Sequence, residues 1–213
     1  MAGNFKKNWK SPLLLLALGT PIMMFGVMKT IALSNAAITG EIPNIPDAAH
    51  QFARPIPILL HIIPSILFVL TGPIQFAHRV RIRWPRLHRI SGRIYVLSGL
   101  FVVGAGLWMN QFYPHYGGPL KYWGVLIAGL GFLVSITLAV CAILRRDILR
   151  HRIWMTRAIA LGLGPGTQSI FAIPVFLTMG LNDSGIGAVV ALGFTINLVF
   201  AEWHIRRHLR STP

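Results

Sequence analysis

Two similar blocks of sequence place a histidine among arginines where the chain runs back into apolar residues. They are "LHRISGRIYV" at 87–96 and "RHRIWMTRAIA" at 150–160, and both contain His-Arg-Ile followed by another arginine. On a helix, His88 and Tyr95 lie on one stripe, since they are seven residues apart. The repeated pattern predicts two related membrane hairpins, with His88 and His151 at corresponding ends.

A neutral imidazole is a common ligand of haem iron, copper and zinc. His88 and His151 therefore suggest a cofactor at the cytoplasmic ends of two helices, either haem b or a transition metal. Guanidinium groups pair with carboxylates such as haem propionates in a two-pronged geometry. The other side chains expected to contact this cofactor are Arg89, Arg93, Arg152 and Tyr95. The alternative is that both histidines only contact lipid headgroups.

His61 is a third candidate metal ligand, and it falls inside an apolar segment where ionisable groups are costly. A hydrocarbon core of about 30 Å puts His61 most of a leaflet away from His88 and His151. It would need a second site or another role, such as proton relay. A hydrogen bond from a neutral imidazole to a neighbouring backbone carbonyl is the structural alternative.

Glu202 and Arg157 are charges expected near the inner ends of two apolar segments. An isolated charge there costs several kcal/mol. We therefore expect Glu202 to pair with Arg157 or with Arg93. The pair would either hold two helices together or take part in proton coupling.

Residues 162–168, "GLGPGTQ", interrupt an apolar segment. Pro165 lacks a backbone N–H, so the helix should kink there. Broken helices with polar residues near the membrane midplane bind substrates in secondary transporters, although kinks also occur without transport. The polar side chains assigned to such a site are Gln75, Thr167, Gln168 and Asn197. A small transporter or channel is thus an alternative to the cofactor protein.

The elements that must position these side chains are membrane spans. The chain is 54% hydrophobic and 12% charged, whereas soluble domains carry about 25% charged residues. A spanning helix needs about 20 mostly apolar residues. This rule predicts an all-α, polytopic helix bundle forming a single transmembrane domain over residues 1–213. The predicted spans are 12–33, 55–77, 94–112, 122–144, 153–179 and 185–204.

The basic residues indicate how these spans are oriented. Of the 20 lysines and arginines, all but Lys29, Arg54 and Lys121 fall on one side of the predicted spans. The positive-inside rule then places both termini in the cytoplasm. Topology and anionic lipid headgroups account for the net charge of +15, so nucleic acid is not an expected partner. A homo-oligomer, a membrane-protein partner and a non-enzymatic scaffold role all stay open.

Four motifs give the chain a family resemblance. They are "GPIQF" at 72–76, the two His-Arg blocks, and "NLVFAEW" at 197–203. With these motifs the chain resembles the bacterial predicted-membrane-protein family of domain of unknown function 2306. The resemblance implies a multi-pass helical membrane protein with no assigned activity. The polar positions that it implies are His61, Gln75, His88, Arg93, His151, Arg157 and Glu202.

Overall fold

The computed structural model describes residues 2–42, 48–114, 116–180 and 182–209, and these residues form helices joined by turns, with no strand among them. The helices are α1 (Ala2–Thr39), α2 (Ala48–Ala53), α3 (Pro55–Phe76), α4 (His78–Arg83), α5 (Pro85–Phe112), α6 (Gly118–Leu144), α7 (Ile148–Gly162), α8 (Gly164–Met179) and α9 (Asp183–His208). The predicted all-α class is confirmed.

Six segments of the described chain are long and apolar enough to cross a membrane. They are Lys10–Thr39, Pro55–Phe76, Pro85–Phe112, Gly118–Leu144, Ile148–Met179 and Asp183–His208. Each matches one predicted span. Several helices run past the predicted limits. The length rule gives only the residues needed to cross the hydrocarbon core, and a helix can continue into the headgroup region. The side of the membrane on which the termini lie stays a prediction.

The chain divides into two compact units, Met1–Met109 and Asn110–Pro213. The single domain predicted over residues 1–213 is not tested by this division and stays a prediction. In the first unit α1 packs against α3, where a side chain at Gly19 would collide with Val69. The rings of Phe68 on α3 and Tyr95 on α5 stack with centroids 4.4 Å apart. These contacts give the first unit a three-helix core.

In the second unit, polar caps fix where two helices begin. The Asp147 carboxylate accepts a hydrogen bond from the Arg150 backbone N–H, and so caps α7. The Asn182 side chain caps α9 in the same way, by accepting from the Gly185 N–H. Such caps satisfy backbone donors that lack a partner within the helix. Gly117 has a positive φ of 80° just before α6, and its N–H donates to Asp183 Oδ1 at 2.8 Å.

The predicted break near Pro165 is confirmed. Helix α7 ends at Gly162 and α8 begins at Gly164, which places Pro165 in the first turn of α8. A proline is tolerated there because its missing N–H would have no partner within the helix. The fifth span is therefore two helices. Their junction packs tightly on α9, since a side chain at Gly164 would collide with the ring of Phe194.

Candidate functional site

His61 lies on α3 and is bonded to the neighbouring helix α5. Its Nδ1 donates a hydrogen bond of 2.8 Å to the carbonyl oxygen of Val102. Gly106, one turn further along α5, gives the ring room, because a Cβ there would lie 3.3 Å from two ring atoms. A carbonyl oxygen can only accept, so Nδ1 carries the proton and the Nε2 of a neutral ring keeps its lone pair. Within the described part of the chain, Nε2 has no hydrogen-bond partner.

A second polar contact between α3 and α5 involves Gln75. Its Nε2 donates to Ser91 Oγ at 2.7 Å and to the His88 carbonyl oxygen at 3.4 Å. The Ser91 hydroxyl in turn donates to the Leu87 carbonyl oxygen at 2.7 Å. Gln75 thus lies in the last turn of α3, and the midplane polar site to which it was assigned stays a prediction. The side chain of His88 is half-buried at this end of α5.

Tyr95 is the most deeply buried polar side chain near these contacts. It is 0% exposed, and its ring stacks on Phe68. Its hydroxyl has no hydrogen-bond partner among the described residues. A buried hydroxyl without a partner costs about 1–3 kcal/mol. Tyr95 therefore offers an internal donor that the described side chains do not use.

His151 repeats the arrangement of His61 in the second unit. Its Nδ1 donates to the carbonyl oxygen of Ala139 on α6 at 2.9 Å. The same reasoning leaves a lone pair on Nε2 of the neutral ring. Nε2 has no hydrogen-bond partner in the described residues. The Asp147 cap positions His151, because it fixes the first turn of α7 one turn before this histidine.

Arg157 and Glu202 form the expected ion pair between α7 and α9. Arg157 Nε lies 2.5 Å from Glu202 Oε1, and Arg157 Nη2 lies 3.1 Å from Oε2. The guanidinium carbon also lies 4.4 Å from the ring centre of Trp154. The side chains of the pair are only 17% and 31% exposed. This two-pronged geometry matches the shape of a carboxylate and is stronger than a single contact.

Asn197 bridges the break between α7 and α8. Its Nδ2 donates to the Ala160 carbonyl oxygen at 2.9 Å, and its Oδ1 accepts from Thr167 Oγ1 at 2.7 Å. Ala160 lies in the last turn of α7, where carbonyls lack donors within the helix. Asn197 therefore supplies a hydrogen-bond donor to the Ala160 carbonyl, which lies next to the break. Gln168 packs against Gly193 through its side-chain carbons, and a substrate site at this junction stays a prediction.

The arginines next to the two histidines remain at the surface of their units. Arg89, Arg93 and Arg152 are exposed. Among the described residues, no group of three His, Cys, Asp or Glu side chains comes together to hold a metal ion. A role for these arginines toward a cofactor stays a prediction.

The structure has the bond that the sequence offered as the structural alternative for His61, a hydrogen bond from the imidazole to a backbone carbonyl. Which carbonyls accept, Val102 for His61 and Ala139 for His151, was missed, because no residue type marks a carbonyl acceptor. Sequence reasoning also missed Ser91 as the partner of Gln75. Ser91 is three residues after His88, and that spacing was the available signal.

The fold and these contacts define a six-span, all-helical membrane protein whose helices are joined by partly buried polar side chains. The chain belongs to the family described as "Predicted membrane protein (DUF2306)", whose model matches residues 58–205. The matched region begins within α3 and includes both His-Arg blocks and the Arg157–Glu202 pair, so the resemblance in sequence is confirmed. No curated protein and no solved structure matches the chain.

Proposed function

We propose that this chain is a redox protein of the bacterial inner membrane that binds haem b through histidine Nε2 atoms. The observation that carries the proposal is the hydrogen bond from His151 Nδ1 to the Ala139 carbonyl oxygen. Histidines that ligate metals usually donate their other ring N–H to a carbonyl or carboxylate, which fixes the tautomer and the ring orientation. His151 has this arrangement, with Nε2 left for a ligand.

The donor set fits haem better than a bare metal ion. Structural metal sites usually take about four protein ligands, and no group of three candidate ligands meets within the described residues. A haem brings four nitrogen ligands of its own and needs only one or two histidines. His88 stays a candidate ligand predicted from the sequence. Arg152 follows His151 directly, and its exposed guanidinium suits a propionate.

Haem bound in this way would supply one-electron transfer. The chain itself would hold the imidazole of His151 in one orientation and keep Nδ1 protonated. The apolar helices would exclude water from the iron ligands, which is one of the protein's means of setting a haem potential. Most basic residues of the chain lie at the arginine-rich helix ends. We therefore place these ends on the cytoplasmic side of the membrane.

The proposal is tested by the absorbance spectrum of the full chain, expressed with an adequate haem supply and purified in detergent. We expect a Soret band that His151→Ala removes or shifts. His78→Ala is the matched control, because His78 is an exposed histidine on α4, and it should leave the spectrum unchanged. Colourless wild-type protein, or an unchanged spectrum in His151→Ala, would overturn the proposal.

A second substitution separates ligation from structural support. His151→Asn retains an N–H donor for the Ala139 carbonyl but lacks the imidazole Nε2. We expect this variant to keep the thermal stability of the parent protein and to lose the haem signal.

A further inference from the structure

A cavity of about 590 Å³, shallow and largely open to its surroundings, lies in the first unit, where α4 turns into α5. It is lined by Arg83, Trp84, Pro85, Arg86 and Leu87. Its volume falls within the range of about 300–1,000 Å³ for small-molecule sites. The cavity is outside the histidine sites, and the haem proposal does not use it.

The two arginines of the cavity give it a positive charge that nearby sequence does not neutralise. No Asp or Glu occurs between Asp47 and Asp147. Arg83 and Arg86 are both exposed. An anion from outside the chain is therefore the natural partner for their guanidinium groups, which bind phosphate oxygens in a two-pronged geometry.

The remaining lining of the cavity is apolar. Trp84 is 52% exposed and Leu87 is 44% exposed, and the Arg83 guanidinium carbon lies 5.9 Å from the Trp84 ring centre. Trp is enriched at the boundary between hydrocarbon and headgroups. The turn connects two spanning helices, α3 and α5, so it lies at the level where headgroups are found. A phosphate group with attached hydrocarbon matches both parts of this lining.

We propose that this cavity binds an anionic phospholipid, with its phosphate held by Arg83 and Arg86 and its acyl chain lying against Trp84 and Leu87. A free phosphate shares the charge but would leave the apolar wall uncovered. The proposal is specific to this cavity and differs from a general attraction of the basic helix ends to the membrane. It predicts that two particular arginines matter more than others of equal charge.

The test is a titration of the purified full chain with phosphatidylglycerol in detergent, with bound lipid counted by native mass spectrometry. Arg83→Gln with Arg86→Gln should weaken phosphatidylglycerol binding about thirtyfold, since each lost guanidinium–phosphate hydrogen bond costs about a factor of five. The control, Arg81→Gln with Arg145→Gln, removes the same charge from exposed arginines outside the cavity. It should weaken binding by less than about threefold, since these arginines do not contact the phosphate and salt screens their charge.

Further arms separate the lipid from other anions. Trp84→Ala should weaken phosphatidylglycerol binding, and phosphatidylcholine, which has no net charge, should lose less affinity than phosphatidylglycerol in the Arg83→Gln, Arg86→Gln variant. Equal losses in the cavity and control variants would overturn the proposal and leave only a diffuse electrostatic attraction. Displacement of the lipid by inorganic phosphate at equal concentration would also overturn it, by assigning the cavity to free phosphate. Because these residues are not part of the haem proposal, each proposal can fail alone.

Discussion

Replacing Glu202 by Gln should destabilise the protein, because it leaves the partly buried Arg157 charge without its counter-charge. The Arg157 side chain is 17% exposed and the Glu202 side chain is 31% exposed. Breaking a fully buried ion pair by removing one partner costs about 3–5 kcal/mol. The partial exposure and the contact of Arg157 with Trp154 favour the lower end of that range. We therefore expect a loss of about 3 kcal/mol in the free energy of unfolding.

The assay is thermal unfolding in a mild detergent, followed by tryptophan fluorescence. For a chain of this size, about 3 kcal/mol corresponds to a decrease of about 6–12 °C in Tm. The matched control is Asp147→Asn, which removes one charge from the exposed Arg150–Asp147 pair, whose side chains are 75% and 39% exposed. Asn caps a helix as well as Asp does, so this change should cost under about 1 kcal/mol.

A double substitution distinguishes the ion pair from other effects of changing α9. Replacing both Arg157 and Glu202 by Leu removes the charges together, and the Tm should recover to within about 4 °C of the parent protein. If Glu202→Gln lowers the Tm no more than Asp147→Asn does, the pair contributes little and the argument from burial is refuted. A double variant as unstable as Glu202→Gln would refute it as well.

Three smaller changes test other contacts by the same assay. Tyr95→Phe should raise Tm by about 2–12 °C, because it removes a buried hydroxyl without a partner; a lower Tm would show that the hydroxyl has a bound partner. Asp147→Ala should cost about 1 kcal/mol through loss of the α7 cap, and a cost no larger than that of Asp147→Asn would contradict this. Asn197→Leu should cost about 1–3 kcal/mol, since it leaves the Ala160 carbonyl and the Thr167 hydroxyl without their partner; an unchanged Tm would show that the bridge is dispensable.

The six spans and the break in the fifth could be predicted from the sequence because both depend on local chemistry. Apolar length alone is enough to define a span. Pro165 cannot donate within a helix wherever it lies, so the junction of α7 and α8 has a local cause. The Arg157–Glu202 contact was predictable for a related reason, since Glu202 is the only carboxylate expected in the inner half of a span. A buried charge has few possible partners.

The bonds of His61, Gln75 and Asn197 could not be predicted, because they depend on how each helix is rotated about its axis. In water, an apolar stripe on a helix shows which face is buried. In a membrane, the outward face is apolar too, and large residues such as Leu97 and Ile127 are exposed. The pattern therefore gives little information about rotation. Partners that are backbone carbonyls add no sequence signal of their own.

His61 and His151 share a feature that their sequence contexts do not suggest. Each donates through Nδ1 to a carbonyl in the interior of a neighbouring helix, Val102 of α5 or Ala139 of α6. Carbonyls inside a helix already accept from the N–H four residues later, so they do not require a second donor. The imidazole is the group that is constrained by the bond, which fixes its tautomer and plane. The bond therefore holds each ring in one orientation and leaves its Nε2 without a hydrogen-bond partner among the described residues.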